Sequence, residues 1–205
     1  MSIITISREF GSGGRELGKR LADELGFAYY DREIVTAIAQ RNEVNEEYVE
    51  ETLDKGFMQS VPIQFGRSFS YSSAFVTGAT NLFVEQHKVL KELAAKGDCV
   101  IVGRAADTVL EEFNPFNLFV YADMPAKIDR CREREVDGES YTDREYARKI
   151  KRIDANRAKY HDMFCGISWG DKAAYHLCVN TTGVEIKKLI PSVAAYIKVW
   201  LEENK

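Results

Sequence analysis

Apolar residues in this chain fall into two patterns: short continuous runs, and longer stretches where they recur every three or four positions. Ile3, Ile4 and Ile6 form a run that ends at Ser7 and predicts a strand. A glycine cluster follows, and then Leu17, Leu21 and Leu25 recur at helical spacing up to Gly26, a helix stop. Phe27 to Tyr30 predict a second strand, and Asp31 is a good N-cap for a helix carrying Ile34, Ala37 and Ile38 on one face. "DCVIVGR" (98–104), "NLFVYAD" (117–123) and "YHLCVN" (175–180) read as three more strands. Helices are predicted over Leu82 to Lys96, from Pro125 onward, over Thr142 to about Phe164, and over 181–203, the last bent or restarted near Pro191. Between Asn42 and Thr80 the pattern loosens: "NEEYVEETLDKG" reads as a short acidic helix and "RSFSYSSAFVTGAT" (67–80) as a loop or mobile segment.

Strands that alternate with helices predict an α/β protein with a parallel sheet covered on both faces. Such sheets bind ligands at the C-terminal ends of their strands. That rule selects Ser7 to Arg15, Asp31, Gly103 to Asp107, Asp123, and Asn180 to Gly183.

The 205 residues suffice for one domain with a sizeable core. A net charge of −4 argues against nucleic acid as a partner, and no apolar stretch is long enough for a membrane span. Cys99, Cys131, Cys165 and Cys178 form no C-x-x-C pair, and three histidines add little to them, so a zinc site is not expected. Free thiols and the absence of a leader-like start lead to the expectation of a reducing cytoplasm.

The glycine cluster is the most specific chemistry in the chain. A glycine-rich turn entering a helix offers backbone N–H groups to an anion at the positive end of the helix dipole. The full phosphate-loop motif adds a Lys for the outer phosphates and a Ser/Thr hydroxyl for Mg²⁺. Gly11, Gly13 and Gly14 are present, but Gly14 stands at the lysine position and Glu16 at the hydroxyl position. Arg15 is the nearest substitute cation, with Arg8 and Lys19 farther away, and Ser12 is the hydroxyl inside the turn.

Four stretches occur in the order seen in cytidylate kinases: the loop followed by "LGFAYYD" (25–31), "IVGRAAD" (101–107), "RIDANR" (152–157) and "VNTTGVEI" (179–186). With "SREFGSGGRELG" and "WGD" (169–171), the chain resembles the cytidylate kinase-like family more closely than the enzymes themselves. The resemblance implies a nucleoside-monophosphate kinase fold: a three-layer α/β/α domain of the P-loop kinase type with a five-stranded parallel sheet. The core would comprise 1–41, 81–124 and 172–205, with an inserted monophosphate-binding region at about 42–80 and a lid at about 125–171. It implies ATP and Mg²⁺ as cofactors and transfer of the γ-phosphoryl group to CMP or dCMP.

Phosphoryl transfer needs positive charge around the migrating group and in-line positioning, so the arginines are the residues to weigh. Arg15, Arg148, Arg152 and Arg157 are the expected catalytic cations, and Arg8, Gly11, Ser12, Gly13, Gly14, Arg15 and Glu16 the expected ATP site. Asp31, Arg41, Arg104, Asp107, Asp154 and Arg157 are the expected acceptor site. Each has a plainer alternative: an N-cap for Asp31, an ion pair for Arg104, a solvated helix face for Arg144, Arg148 and Arg152. Trp169 is a base-stacking candidate or a packed aromatic. The segment Phe65 to Phe75 closes over a nucleotide or forms a homodimer contact. Ala105 and Ala37 replace polar residues of the cytidylate kinases, which keeps open a kinase for another small metabolite. Absence of the loop lysine also leaves open a module that binds nucleotide without efficient transfer.

Overall fold

The computed structural model describes residues 1–55, 73–134, 141–163 and 165–204. Five strands form one parallel sheet: β1 (Ile3–Arg8), β2 (Ala28–Tyr30), β3 (Cys99–Val102), β4 (Phe116–Tyr121) and β5 (Leu177–Asn180), in the order β2-β3-β1-β4-β5. β1 sits at the centre. Ile4 pairs in register with Val100 on one side and Phe116 on the other. Ile3, Ile4, Ile6, Val100, Ile101 and Val102 are all buried, as expected of strands covered on both faces.

The helices are α1 (Gly14–Leu25), α2 (Arg32–Asn42), α3 (Glu46–Lys55), α4 (Ser73–Ala94), α5 (Ala106–Val109), α6 (Met124–Arg132), α7 (Asp143–Asp162) and α8 (Ile186–Glu203). One face of the sheet packs on α1 and α8 through Leu17, Leu21, Ile190, Val193 and Ile197. The other face packs on α2, α3 and α4 through Ile34, Ile38, Leu53 and Leu90. A third, smaller cluster joins α6 and α7 through Ile128, Tyr146 and Ile150.

Two expectations change. Residues 73–80 begin α4 instead of forming a loop. Their serine, threonine and glycine content suggested a turn, while the long run of helix-compatible spacing from Ala74 to Leu93 prevails. α8 passes through Pro191 without a restart. Pro191 is past the first turn of α8, so the helix forgoes one hydrogen bond, to the Lys187 carbonyl, and continues. Residues 56–72, which hold most of the Phe65 to Phe75 stretch, lie outside the described residues, as do 135–140 and 164.

Candidate active site

β1 ends at Arg8, and the chain turns through Glu9 to Gly13 into α1. Gly13 caps α1 in a left-handed conformation with no side-chain bond, so the first-turn N–H groups are not claimed by a cap side chain. The loop backbone is instead fixed from outside. Phe10 N–H donates to Asp154 Oδ1 at 2.6 Å, and Arg157 Nη1 donates to the Arg8 carbonyl at 3.1 Å. Both partners belong to α7, one turn apart, so one helix holds the loop in two places.

Lys127 completes this support. It is buried, with Nζ 2.9 Å from Glu9 Oε2 and 3.1 Å from Asp154 Oδ2. Burial pushes the Asp154 carboxyl above its ordinary value, against the Phe10 N–H and Lys127, which pull it down. Nothing in the local pattern singles out Lys127, one charged residue in a short helix of mixed polarity.

Two clefts open at the C-terminal edge of the sheet. The first lies over the glycine loop, lined by Gly11, Gly13, Gly14, Arg130, Tyr141 and Lys149 among others. The second is a cavity of about 130 Å³ beyond the ends of β1 and β3, lined by Asp31, Arg32, Glu50, Arg104, Tyr160 and Trp169 among others. Arg8, Arg15 and Arg157 line both.

The cavity is strongly cationic. Arg15 Nε lies 2.5 Å from Asp31 Oδ2. Arg104 and Ala105 both adopt positive φ, an uncommon state for residues with a Cβ, at a turn that carries Arg104 to the cavity wall. Gln86, buried on α4, donates to the Arg104 carbonyl at 3.2 Å and also bonds Tyr160 Oη. Arg8 keeps some exposed surface through the clefts, yet its guanidinium sits deep. Desolvation, then Arg157, then Arg104 and Arg15 push its pKa down to about 9, while Asp31 pulls the other way. At pH 7 it remains a cation, held in an environment short of negative charge.

Several expected residues are placed elsewhere. Arg148 and Arg152 are exposed on α7 and line neither cleft, because the inward face of that helix is taken by Ile150, Ile153 and Arg157. Arg41 pairs with Glu92 and Glu85 of α4, away from the cavity. Asp107 lies behind the cavity wall, 3.0 Å from His161 Nε2. Asp154 faces the loop backbone and Lys127, so its role in reading a base is not supported by its position. Ser12 Oγ donates to the Glu9 carbonyl at 2.8 Å, inside the loop. Glu16 pairs with Arg20 at 2.9 Å and Arg134 at 3.3 Å on the outer side. Ser12 and Glu16 are thus both engaged with protein partners, and among the described residues no three His, Cys, Asp or Glu side chains are grouped to hold a metal ion. His161 and Trp169 do reach the cavity: Trp169 N–H donates to Asp162 Oδ1 at 2.8 Å, and its ring meets Phe119 edge-on. Arg32 and Glu50 also line it, and nothing in their sequence context distinguished them from surface charges.

A central β1 flanked by β3 and β4, a glycine turn into α1, and clefts at the strand ends define an α/β fold of the P-loop kinase type. A model of the cytidylate kinase-like family matches residues 3–183, and the chain belongs to that family. No curated protein matches the chain. Among solved structures it is similar to an uncharacterized protein from Eubacterium ventriosum ATCC 27560, with 24% identity, 97% of this chain and 99% of that one covered, and a TM-score of 0.66. It is also similar to a shikimate kinase from Bacteroides thetaiotaomicron (16% identity, 98% of each chain, TM-score 0.59). A gluconokinase from Sinorhizobium meliloti 1021 is similar at 11% identity, covering 98% of this chain and 94% of that one, with a TM-score of 0.54. No helix among the described residues is long and apolar enough to cross a membrane.

Proposed function

We propose that this protein is a phosphotransferase that moves the γ-phosphoryl group of ATP to a small anionic acceptor, with CMP and dCMP the first acceptors to test. The observation that carries this reading is the shared wall. Arg8, Arg15 and Arg157 border both the glycine-loop cleft and the strand-end cavity. A phosphoryl group passing between the two would travel along guanidinium groups, the electrostatic stabilisation that transfer requires. ATP phosphates would rest on the loop N–H groups at the start of α1, and the acceptor anion against Arg104 and Arg32. Asp31, paired with Arg15 at the cavity edge, would hold that guanidinium beside the phosphate oxygen of a monophosphate acceptor, or orient the hydroxyl of an alcohol acceptor.

A non-nucleotide acceptor is the second reading. The cavity is small, and two similar structures are a shikimate kinase and a gluconokinase, so the fold serves acceptors that are not nucleotides. A coupled ADP-release assay with ATP, Mg²⁺ and each nucleoside monophosphate, followed by small hydroxy acids and sugar acids, tests both. Turnover with CMP or dCMP supports the first reading, and turnover only with a hydroxy or sugar acid supports the second. ATP binding without turnover on any of them would refute efficient transfer to these classes.

A further inference from the structure

Counting the phosphate-loop spacing back from the lysine position at Gly14 puts Arg8 where that motif has its first glycine. The chain thus carries arginine where the motif has glycine and glycine where it has lysine. The structure ties these two departures together. A Cβ on Gly14 would lie 2.5 Å from Arg8 Cβ and 3.0 Å from Arg8 Cγ. Gly14 has ordinary helical backbone angles, so the constraint there is space alone. Farther out the Arg8 guanidinium passes against Gly103 at the end of β3, where a φ of +77° already favours glycine. Arg8 therefore runs between α1 and the end of β3, and at Gly14 its near end leaves no room for a Cβ. A lysine at position 14 and an arginine at position 8 would compete for the same volume.

We propose that Arg8 supplies the charge that the missing loop lysine would have given the transferring phosphoryl group, and that the glycine at position 14 lets its side chain through. Arg15 is the obvious substitute by sequence, but it is more than half exposed and bound to Asp31. Arg8 borders both clefts from the centre of the sheet edge. Its surroundings also hold more positive than negative charge: Arg157, Arg104 and Arg15 oppose it and Asp31 favours it. An anion held between the clefts would relieve that imbalance. A rigid guanidinium fork reaches two phosphate oxygens at once, which suits a fixed slot better than a flexible ammonium.

This inference rests on the phosphotransferase reading, so its test separates the two. The steric half needs no activity. Gly→Ala in a helix ordinarily stabilises. Gly14→Ala is expected to lower the melting temperature when Arg8 is present and to lower it less, or raise it, in an Arg8→Gly background, where Val120 Cβ at 3.3 Å is the close neighbour that remains. The same change in both backgrounds, in either direction, overturns the shared slot. For the chemical half, Arg8→Ala is expected to cut turnover ~10²–10³-fold, as removal of one transition-state donor does, while the protein stays folded by thermal melt. Arg8→Gly/Gly14→Lys, which restores the motif's first glycine and its lysine, is expected to recover at least about tenfold over Arg8→Gly. An Arg8→Ala enzyme within about threefold of wild type, or a folded double variant with no recovery, overturns the exchange of roles. If the wild type transfers to no acceptor, calorimetry with ATP decides. Loss of ATP affinity of about tenfold or more in Arg8→Ala keeps Arg8 at the phosphate while the kinase reading fails, and unchanged affinity, or no ATP binding by the wild type, overturns the assignment.

Discussion

Replacing Lys127 with methionine should destabilise the protein by about 3 kcal/mol. The side chain is 6% exposed and bridges Glu9 and Asp154, which are 26% and 15% exposed. Removing one partner from a buried ion pair costs about 3–5 kcal/mol, because the remaining charge is left without its partner. Here two carboxylates lose the same cation, which argues for the upper end. Two facts pull the figure down. Asp154 keeps the Phe10 N–H at 2.6 Å, and Glu9 keeps the Ala122 N–H at 3.2 Å and some access to water. Methionine also preserves most of the packing of the lysine stem. Urea unfolding at pH 7, with the slope checked against wild type, measures the difference. A pH series adds a second check. The Asp154 pKa is already raised in the fold, so its protonation favours the folded state, a gain present at low pH and lost as pH rises through the folded value. Without Lys127 that value climbs further. The deficit of Lys127→Met should therefore be smaller at pH 5 than at pH 8. A loss below about 1 kcal/mol at pH 7, or a deficit that grows on acidification, would refute the view that this triad holds the loop.

Other outcomes follow from the same geometry. Burial lowers the His161 pKa, but its bonds to Asp107 and Asp162 outweigh that and hold it above the ordinary value. Its contribution is thus full below the unfolded value and fades as pH rises through the folded one, so His161→Gln should lose more stability at pH 6 than at pH 8; an imidazole NMR titration giving an unraised value would contradict this. Arg41→Ala, Arg148→Ala and Arg152→Ala should leave kcat/KM within about threefold of wild type, whereas Arg157→Ala should lower it at least about tenfold in the same coupled assay. Thr142 caps α7 in a reciprocal box with Glu145, and Thr142→Ala should cost about 1 kcal/mol in urea unfolding.

The strands and most helices were legible because their apolar spacing is regular and their ends carry glycine, proline or an acidic cap. The rule that ligands sit at strand ends also found Arg8, Asp31 and Arg104. What it could not reach was orientation about a helix axis. Arg148, Arg152 and Arg157 read alike as members of one basic helix, yet only Arg157 turns toward the loop. Asp154 matched a lid motif and instead serves the loop backbone, which depends on a lysine 27 residues earlier. Arg32 and Glu50 reach the cavity because α2 and α3 pack against one another there, a tertiary fact with no local signature.

The loop itself shows a deeper reason why motif reading stops short. Judged position by position, Gly14 is a lost lysine, and Arg8 is an unremarked charge at the end of a strand. Neither departure has a meaning until the two backbones are seen to approach so closely that a Cβ on Gly14 would meet the Arg8 side chain. The missing cation and the extra cation then become one change in how the same place is charged. A lysine on the first turn of α1 would move with that helix. An arginine rooted in the central strand is fixed by the pairing of β1 with β3 and β4, and its carbonyl is held by Arg157. On the proposed exchange of roles the charge is rooted in the central strand of the sheet, while α7, through Arg157 and Asp154, braces the loop around it.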